Sequence, residues 1–287
     1  MRHRNHLAAG PTRRRILGAL GAAAFAGPLS RYAPLEAQQA CAILGSPSLT
    51  EGPYFVDEDL NRSDIRLDPA TGAVSAGLPL SLSISVSQLV NCQLAPLTGA
   101  YVDIWQCDAG GVYSDVAAQN SVGRKFLRGY QPTNTQGYVY FTTVYPGWYQ
   151  GRAVHIHVKV RIFNGVNETY EFTSQFFFDE SFTDEVYRQS PYSSRPGRDT
   201  RNTNDGIYLG GSSTGSITSN SGANLMLALR NRGSHVEADA RLICDLSLGS
   251  SPDQTPGGGG GPGGGPPGGG MPPGGMPPGG APPPGTP

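Results

Sequence analysis

The sequence predicts an all-β chain, an antiparallel β-sandwich with long loops and little helix. Two observations carry that expectation. Residues 78–90, LPLSLSISVSQLV, alternate Leu80, Leu82, Ile84 and Val86 with Ser81, Ser83 and Ser85, the period-two pattern of a strand with one buried face. Further runs of strand length follow at 100–107, 137–144, 153–163 and 170–178, punctuated by Gly, Asn and Pro clusters. Short strands at that spacing pack as sheet on sheet. Only 183–189 reads as helix, with weaker strands expected near 223–229 and 239–248. The long connections 108–136 and 189–222 are then where chemistry is expected.

Composition divides the 287 residues into three parts. In residues 1–40, Thr12, Arg13 and Arg14 precede Ile16, Leu17 and a short Ala-rich run ending in Gly-Pro. That run is too short to span a bilayer and reads as an export signal of twin-arginine type, placing the mature protein in the periplasm or outside the cell. Residues 251–287 are almost entirely Gly and Pro, with Met271 and Met276 the only sizeable apolar side chains. Such a stretch cannot bury enough surface to offset its ordering entropy, so a disordered tail is expected. Residues 41–250 have the length of one domain with its own core. The net charge of −1 and the lack of a basic stripe outside the leader argue against nucleic acid as a partner. No membrane span is expected. The four cysteines of an exported chain predict two disulfides: Cys92 with Cys107 across an expected hairpin, and Cys41 with Cys244 joining the ends.

The chemistry-bearing stretch is YPGWYQGRAVHIHVKV, residues 145–160. The chain has five histidines, and two of the others, His3 and His6, stand at its start. On a strand, His155 and His157 share one face while Ile156 and Val158 turn to the other layer. Such a pair is either half of a metal site or two hydrogen-bonded histidines. Further donors near in sequence are Asp103, Asp108 and Asp115, and the tyrosines Tyr113, Tyr145 and Tyr149; His235 lies in a distant polar loop. A phenol titrates near pH 10, so binding as phenolate calls for a strongly Lewis-acidic partner. Ferric iron suits two phenolates and two imidazoles. Each tyrosine alone reads equally as a buried ring with a satisfied hydroxyl.

Four ordered stretches extend this reading: TEGPYF (50–55), VDIWQCDAGGVYSD (102–115), the histidine segment, and FTSQFFF (172–178). Across roughly residues 48–180 they resemble the intradiol ring-cleavage dioxygenases. The resemblance implies a β-sandwich holding non-haem Fe(III) through Tyr113, Tyr149, His155 and His157. It makes Arg152 the active-site arginine and Gln175 a glutamine behind the metal, and it places Gly52, Pro53 and Tyr54 along the substrate pocket with Arg152. Tyr149, Arg152 and Gln175 are its catalytic set. The substrates implied are a small aromatic diol and O2, and the product a cis,cis-muconate-type diacid. Two departures stand out. Arg-Ala-Val-His-Ile-His replaces the family's usual Arg-Pro-Ala-His-Ile-His, and only Gln150 and Gly151 separate Tyr149 from Arg152. The helical dimerisation region of catechol 1,2-dioxygenases has no counterpart, so no oligomeric state is implied. One rival is a non-catalytic β-sandwich binding module keeping the family fold. Another, a copper or zinc hydrolase built on the histidine pair, requires carboxylate donors and no contribution from Tyr113.

Overall fold

The computed structural model describes residues 45–210 and 221–249. The expected leader, Cys41 and the expected tail lie outside those residues. The strands are β1 (Pro79–Val90), β2 (Gln93–Pro96), β3 (Tyr101–Trp105), β4 (Arg128–Pro132), β5 (Tyr138–Val144), β6 (His155–Asn164), β7 (Asn167–Phe177), β8 (Ala228–Asn231) and β9 (Val236–Cys244), with one short helix, α1 (Glu180–Val186), after β7. One sheet runs β2-β1-β9-β8, with β5 also paired to β1, and the other runs β4-β3-β6-β7. Leu80, Leu82, Ile84 and Val86 of β1 pack with Ile104, Ile156, Val158, Val160 and Phe172 of the facing sheet in one buried core. Each such side chain contributes about 1.5–3 kcal/mol relative to exposure. This is the expected β-sandwich. Among the described residues no helix is long and apolar enough to cross a membrane.

Four details differ from the sequence expectation. First, β1 and β9 pair in parallel, from Leu80 opposite Val236 to Gln88 opposite Cys244. A parallel partner requires a long crossover, and the chain makes one by passing through the second sheet and α1 first. Second, β2 and β4 were unforeseen, because QLAP and RGYQP are short and interrupted by Pro or Gly. Third, α1 starts ahead of the predicted 183–189, since the Asp179 carboxylate accepts the Phe182 N–H at 2.8 Å and caps the helix there. Fourth, the last two strands begin at Ala228 and Val236 rather than near 223 and 239.

The expected disulfides are corrected. Cys107 and Cys244 are both free and buried, so neither Cys92–Cys107 nor Cys41–Cys244 forms. Residues 92 and 107 do not flank a hairpin. The chain leaves one sheet at β2 and enters the other at β3, and Cys107 ends at the tyrosine-bearing loops with its thiol against Gly147 O at 3.3 Å. Cys92 is disulfide-bonded, and its partner is not among the described residues. Burial pushes the Cys244 thiol up to about 12, which keeps it protonated and unreactive. Alkylation of the native protein should therefore spare Cys107 and Cys244. Unfolding without reductant should expose both to labelling but not Cys92, as read by peptide mass mapping.

Candidate active site

The site begins with the alternation of β6. His155, His157, Lys159 and Arg161 share its outer face, while Ile156, Val158 and Val160 enter the core. Across the sheet, Trp105 of β3 and Gln175 of β7 stand opposite His157, and Phe177 stands opposite His155. This outer face is nonetheless buried, because the segment 46–57 crosses it. Leu49 N–H donates to Thr173 O at 3.0 Å. Lys159 pairs with Glu51 and Glu171 and lies 3.8 Å from the Phe55 ring centre. Arg161 grips Asp103 at 2.8 and 2.9 Å and Asp57 at 2.6 Å. Buried charges are tolerated only when paired, so these two cations fasten the crossing segment down. That anchoring sets Gly52 and Tyr54 beside the histidines. Gly52 adopts φ +71°, and a Cβ there would stand 3.5 Å from His157 Cε1. Tyr54 stacks on Tyr113 with ring centres 4.6 Å apart, whereas Pro53 is exposed.

Tyr113 comes from the loop after β3 and Tyr149 from the turn before β6, and the two loops lock together. Gly147 N–H donates to Asp108 O at 3.0 Å, and a Cβ on Gly147 would strike the carbonyl oxygens of Asp108 and Ala109. Gly111, at φ +83°, passes equally close to Trp148 O, a conformation and an approach that need glycine. Arg195 bridges both loops, donating to Gly110 O and Trp148 O while its guanidinium sits 4.2 Å from the Trp148 ring centre.

The four donors meet at His155. Its Nδ1 lies 2.6 Å from Ala153 O; a carbonyl only accepts, so Nδ1 carries the proton and Nε2 presents a lone pair. Around that Nε2 stand His157 Nε2 at 3.0 Å, Tyr149 Oη at 3.1 Å and Tyr113 Oη at 3.4 Å. One lone pair cannot satisfy three polar neighbours, and His157 Nδ1 is buried without a hydrogen-bond partner. The His157 ring is held instead by stacking on Trp105, 4.7 Å away and 9° from parallel. Such crowding fits a cation at the point where the donors converge, and two phenols with two imidazoles suit a hard, strongly Lewis-acidic ion. Among the described residues no three histidine, cysteine or carboxylate side chains gather into a metal-holding group; the side chains beside the two histidines here are tyrosines.

Burial dominates the electrostatics. It lifts both phenols, Tyr113 further through Tyr149, with Arg152 opposing the rise at Tyr149. It also drives His155 down to about 3, assisted by the Arg152 charge, and His157 well below its ordinary value, assisted by His155.

Arg152 donates from Nε to Asp205 at 3.0 Å and from Nη2 to Gln175 Oε1 at 2.5 Å, while Gln175 donates to Thr50 O at 2.8 Å. The structure thus brings together Gly52, Tyr54, Tyr113, Tyr149, Arg152, His155, His157 and Gln175. Tyr145 is elsewhere, buried in the core with Oη 2.8 Å from Thr183 Oγ1. The carboxylates Asp103, Asp108 and Asp115 are engaged by Arg161 and by the N–H groups of Gly110, Val112 and Gly123. His235 is half-buried in the β8–β9 turn. Sequence reasoning missed Asp205 and Trp105. Trp105 lies in a strand the sequence predicts, but its place opposite His157 follows from the β3–β6 register, and Asp205, in a loop beyond α1, gave no signal.

A family model described as Dioxygenase matches residues 50–186. The chain is 32% identical to an intradiol ring-cleavage dioxygenase from Tetranychus urticae, covering 72% of this chain and 97% of that one with a TM-score of 0.59. The chain belongs to the intradiol ring-cleavage dioxygenases. A second dioxygenase crystal structure is 30% identical over the same shares, with a TM-score of 0.59. The dioxygenase domain of a dioxygenase and carbohydrate-binding protein fusion from Streptomyces sp. SirexAA-E is 27% identical, covering 70% of this chain and 98% of that one, with a TM-score of 0.47. No curated protein matches the chain. Intradiol dioxygenases act on catechol-type substrates with O2 and generally use non-haem Fe(III).

Two outcomes follow for this intradiol dioxygenase. Gly147→Ala should cost about 1–3 kcal/mol through overpacking, read by urea unfolding, and should reduce activity by parting the two tyrosine loops. Both site histidines are neutral when folded. Below the ordinary imidazole value of about 6.5 the unfolded chain therefore binds protons that the folded one refuses. Stability should fall as pH drops from there towards about 3, where His155 titrates. Denaturant midpoints at pH 7 and pH 5 check the sign.

Proposed function

We propose that this dioxygenase cleaves a catechol-type aromatic between its two hydroxyl-bearing carbons, adding both atoms of O2 to give a cis,cis-muconate-type diacid, with Fe(III) held by Tyr113, Tyr149, His155 and His157. The observation that carries this reading is the meeting of two phenol oxygens and two imidazole nitrogens around one buried point, in a chain of this family. Bound there, ferric iron would supply the Lewis acidity that makes phenolates of these high-pKa tyrosines and draws electron density from the diol.

The protein's own groups do the rest. Tyr149 Oη, at the less fully buried edge of the donor set, takes the proton of a substrate hydroxyl as general base. Arg152 uses Nε and Nη2 within the protein, which leaves Nη1 to meet negative charge developing on the ring. Gln175 holds that guanidinium and is itself tied to Thr50 O. Tyr54, stacked on Tyr113, forms an aromatic wall for the ring. Trp105, flat against His157, keeps water from that side.

The arginine-led leader extends the proposal to an exported enzyme, meeting catechols released from plant or other aromatic polymers. The test is oxygen uptake and product identification with catechol, protocatechuate, hydroxyquinol and caffeoyl compounds. At least one should consume one O2 per diol and yield a ring-opened diacid, and Tyr149→Phe should lower kcat by about 100-fold or more. No uptake with any diol by iron-loaded protein would favour a non-catalytic binding module.

A further inference from the structure

Asp205 lies 53 residues beyond Arg152, outside the stretch 50–186 that matches the family model, yet it reaches the centre of the site. It is 1% exposed, and both its oxygens are engaged. Oδ1 accepts the N–H groups of Ile207 at 2.7 Å and Tyr208 at 3.1 Å, which fixes the carboxylate on its own turn. Oδ2 accepts Arg152 Nε at 3.0 Å and the Ala153 N–H at 2.7 Å. The second bond matters because Ala153 O is the acceptor that sets the proton on His155 Nδ1. One oxygen therefore grips two consecutive residues, one carrying the guanidinium and the other holding the imidazole. The loop also packs on the site's wall, with Tyr208 edge-on to Phe177 at 5.1 Å.

We propose that Asp205 is a positioning residue, anchored through Oδ1 and through Oδ2 aiming the Arg152 guanidinium at the substrate while steadying Ala153, whose carbonyl orients His155. Anionic Asp205 is suited to the role because a charged acceptor makes stronger bonds than a neutral one. Burial alone would raise its pKa, but the Arg152 charge and the backbone donors outweigh burial and hold it below the ordinary carboxylate value. An amide of the same shape would turn either its NH2 towards Arg152 and Ala153 or towards Ile207 and Tyr208, so one pair of donors loses its acceptor.

The inference rests on the proposed reading of the site. An inactive wild type would overturn that reading, whereas the inference is decided by variants of an active wild type. The experiment measures kcat and KM for whichever diol of that panel the wild type turns over fastest, with iron content and the visible spectrum, for Asp205→Asn, Arg152→Gln and the double variant. Asp205→Asn should keep its iron and its colour, lose about 10- to 100-fold in kcat, and change KM much less. In the Arg152→Gln background the same substitution should cost clearly less in kcat than it does in the wild type, since one of the two groups it acts through is gone. Wild-type kcat in Asp205→Asn, or a full additive loss in the double variant, would overturn the proposal. Should Asp205→Asn fail to fold, Asp205→Glu keeps the charge but displaces the oxygen by a methylene. It should retain iron and colour with reduced kcat, and wild-type kcat there would equally overturn the proposal.

Discussion

The site depends on the register of β6 between β3 and β7. Held on both edges, His157 opposite Trp105 and Gln175, the strand has no freedom to slip. A shift of one residue would exchange the faces, driving His155 and His157 into the core and Ile156 and Val158 outward. The core thus enforces the geometry of the site. Leu82, Ile84 and their neighbours bury the aliphatic half of β6, and the histidines face the other way as a consequence.

A sheet's outer face is ordinarily wet, and this one is not. The crossing segment 46–57 is held over it by the buried cations of Lys159 and Arg161, each with two carboxylate partners. Replacing such pairs by apolar residues often leaves stability unchanged or higher, so their value here lies in location. They put Gly52 and Tyr54 against the donors and dry the site, which lifts the phenols and suppresses imidazole protonation together. The tyrosine loops close the opposite side by direct backbone contact, which is why glycine occupies 111 and 147.

Much of this was legible in the sequence wherever the cause is local. The Leu-Ser alternation of β1 and the His-Ile-His triplet of β6 each declare a face two residues at a time. Short ordered motifs singled out the tyrosines, the arginine and the glutamine that the fold brings together. Contacts set by topology were not legible. Cys92 and Cys107 looked like a hairpin pair because the crossing between sheets at residues 96–101 leaves no pattern. β4 hid among Gly and Pro. Asp205 is an ordinary aspartate in a polar loop until the fold sets it against Arg152 and Ala153. The parallel β1–β9 pair likewise depends on where the chain returns, which periodicity does not encode.

The central claim is that Tyr113, Tyr149, His155 and His157 act as one donor set for ferric iron. The visible absorption of protein loaded with one equivalent of iron tests it most directly. Two phenolates on Fe(III) should give an intense charge-transfer colour, weakened by Tyr113→Phe, weakened by Tyr149→Phe and abolished when both are changed. A colourless iron-loaded protein, or colour indifferent to both tyrosines, would contradict it.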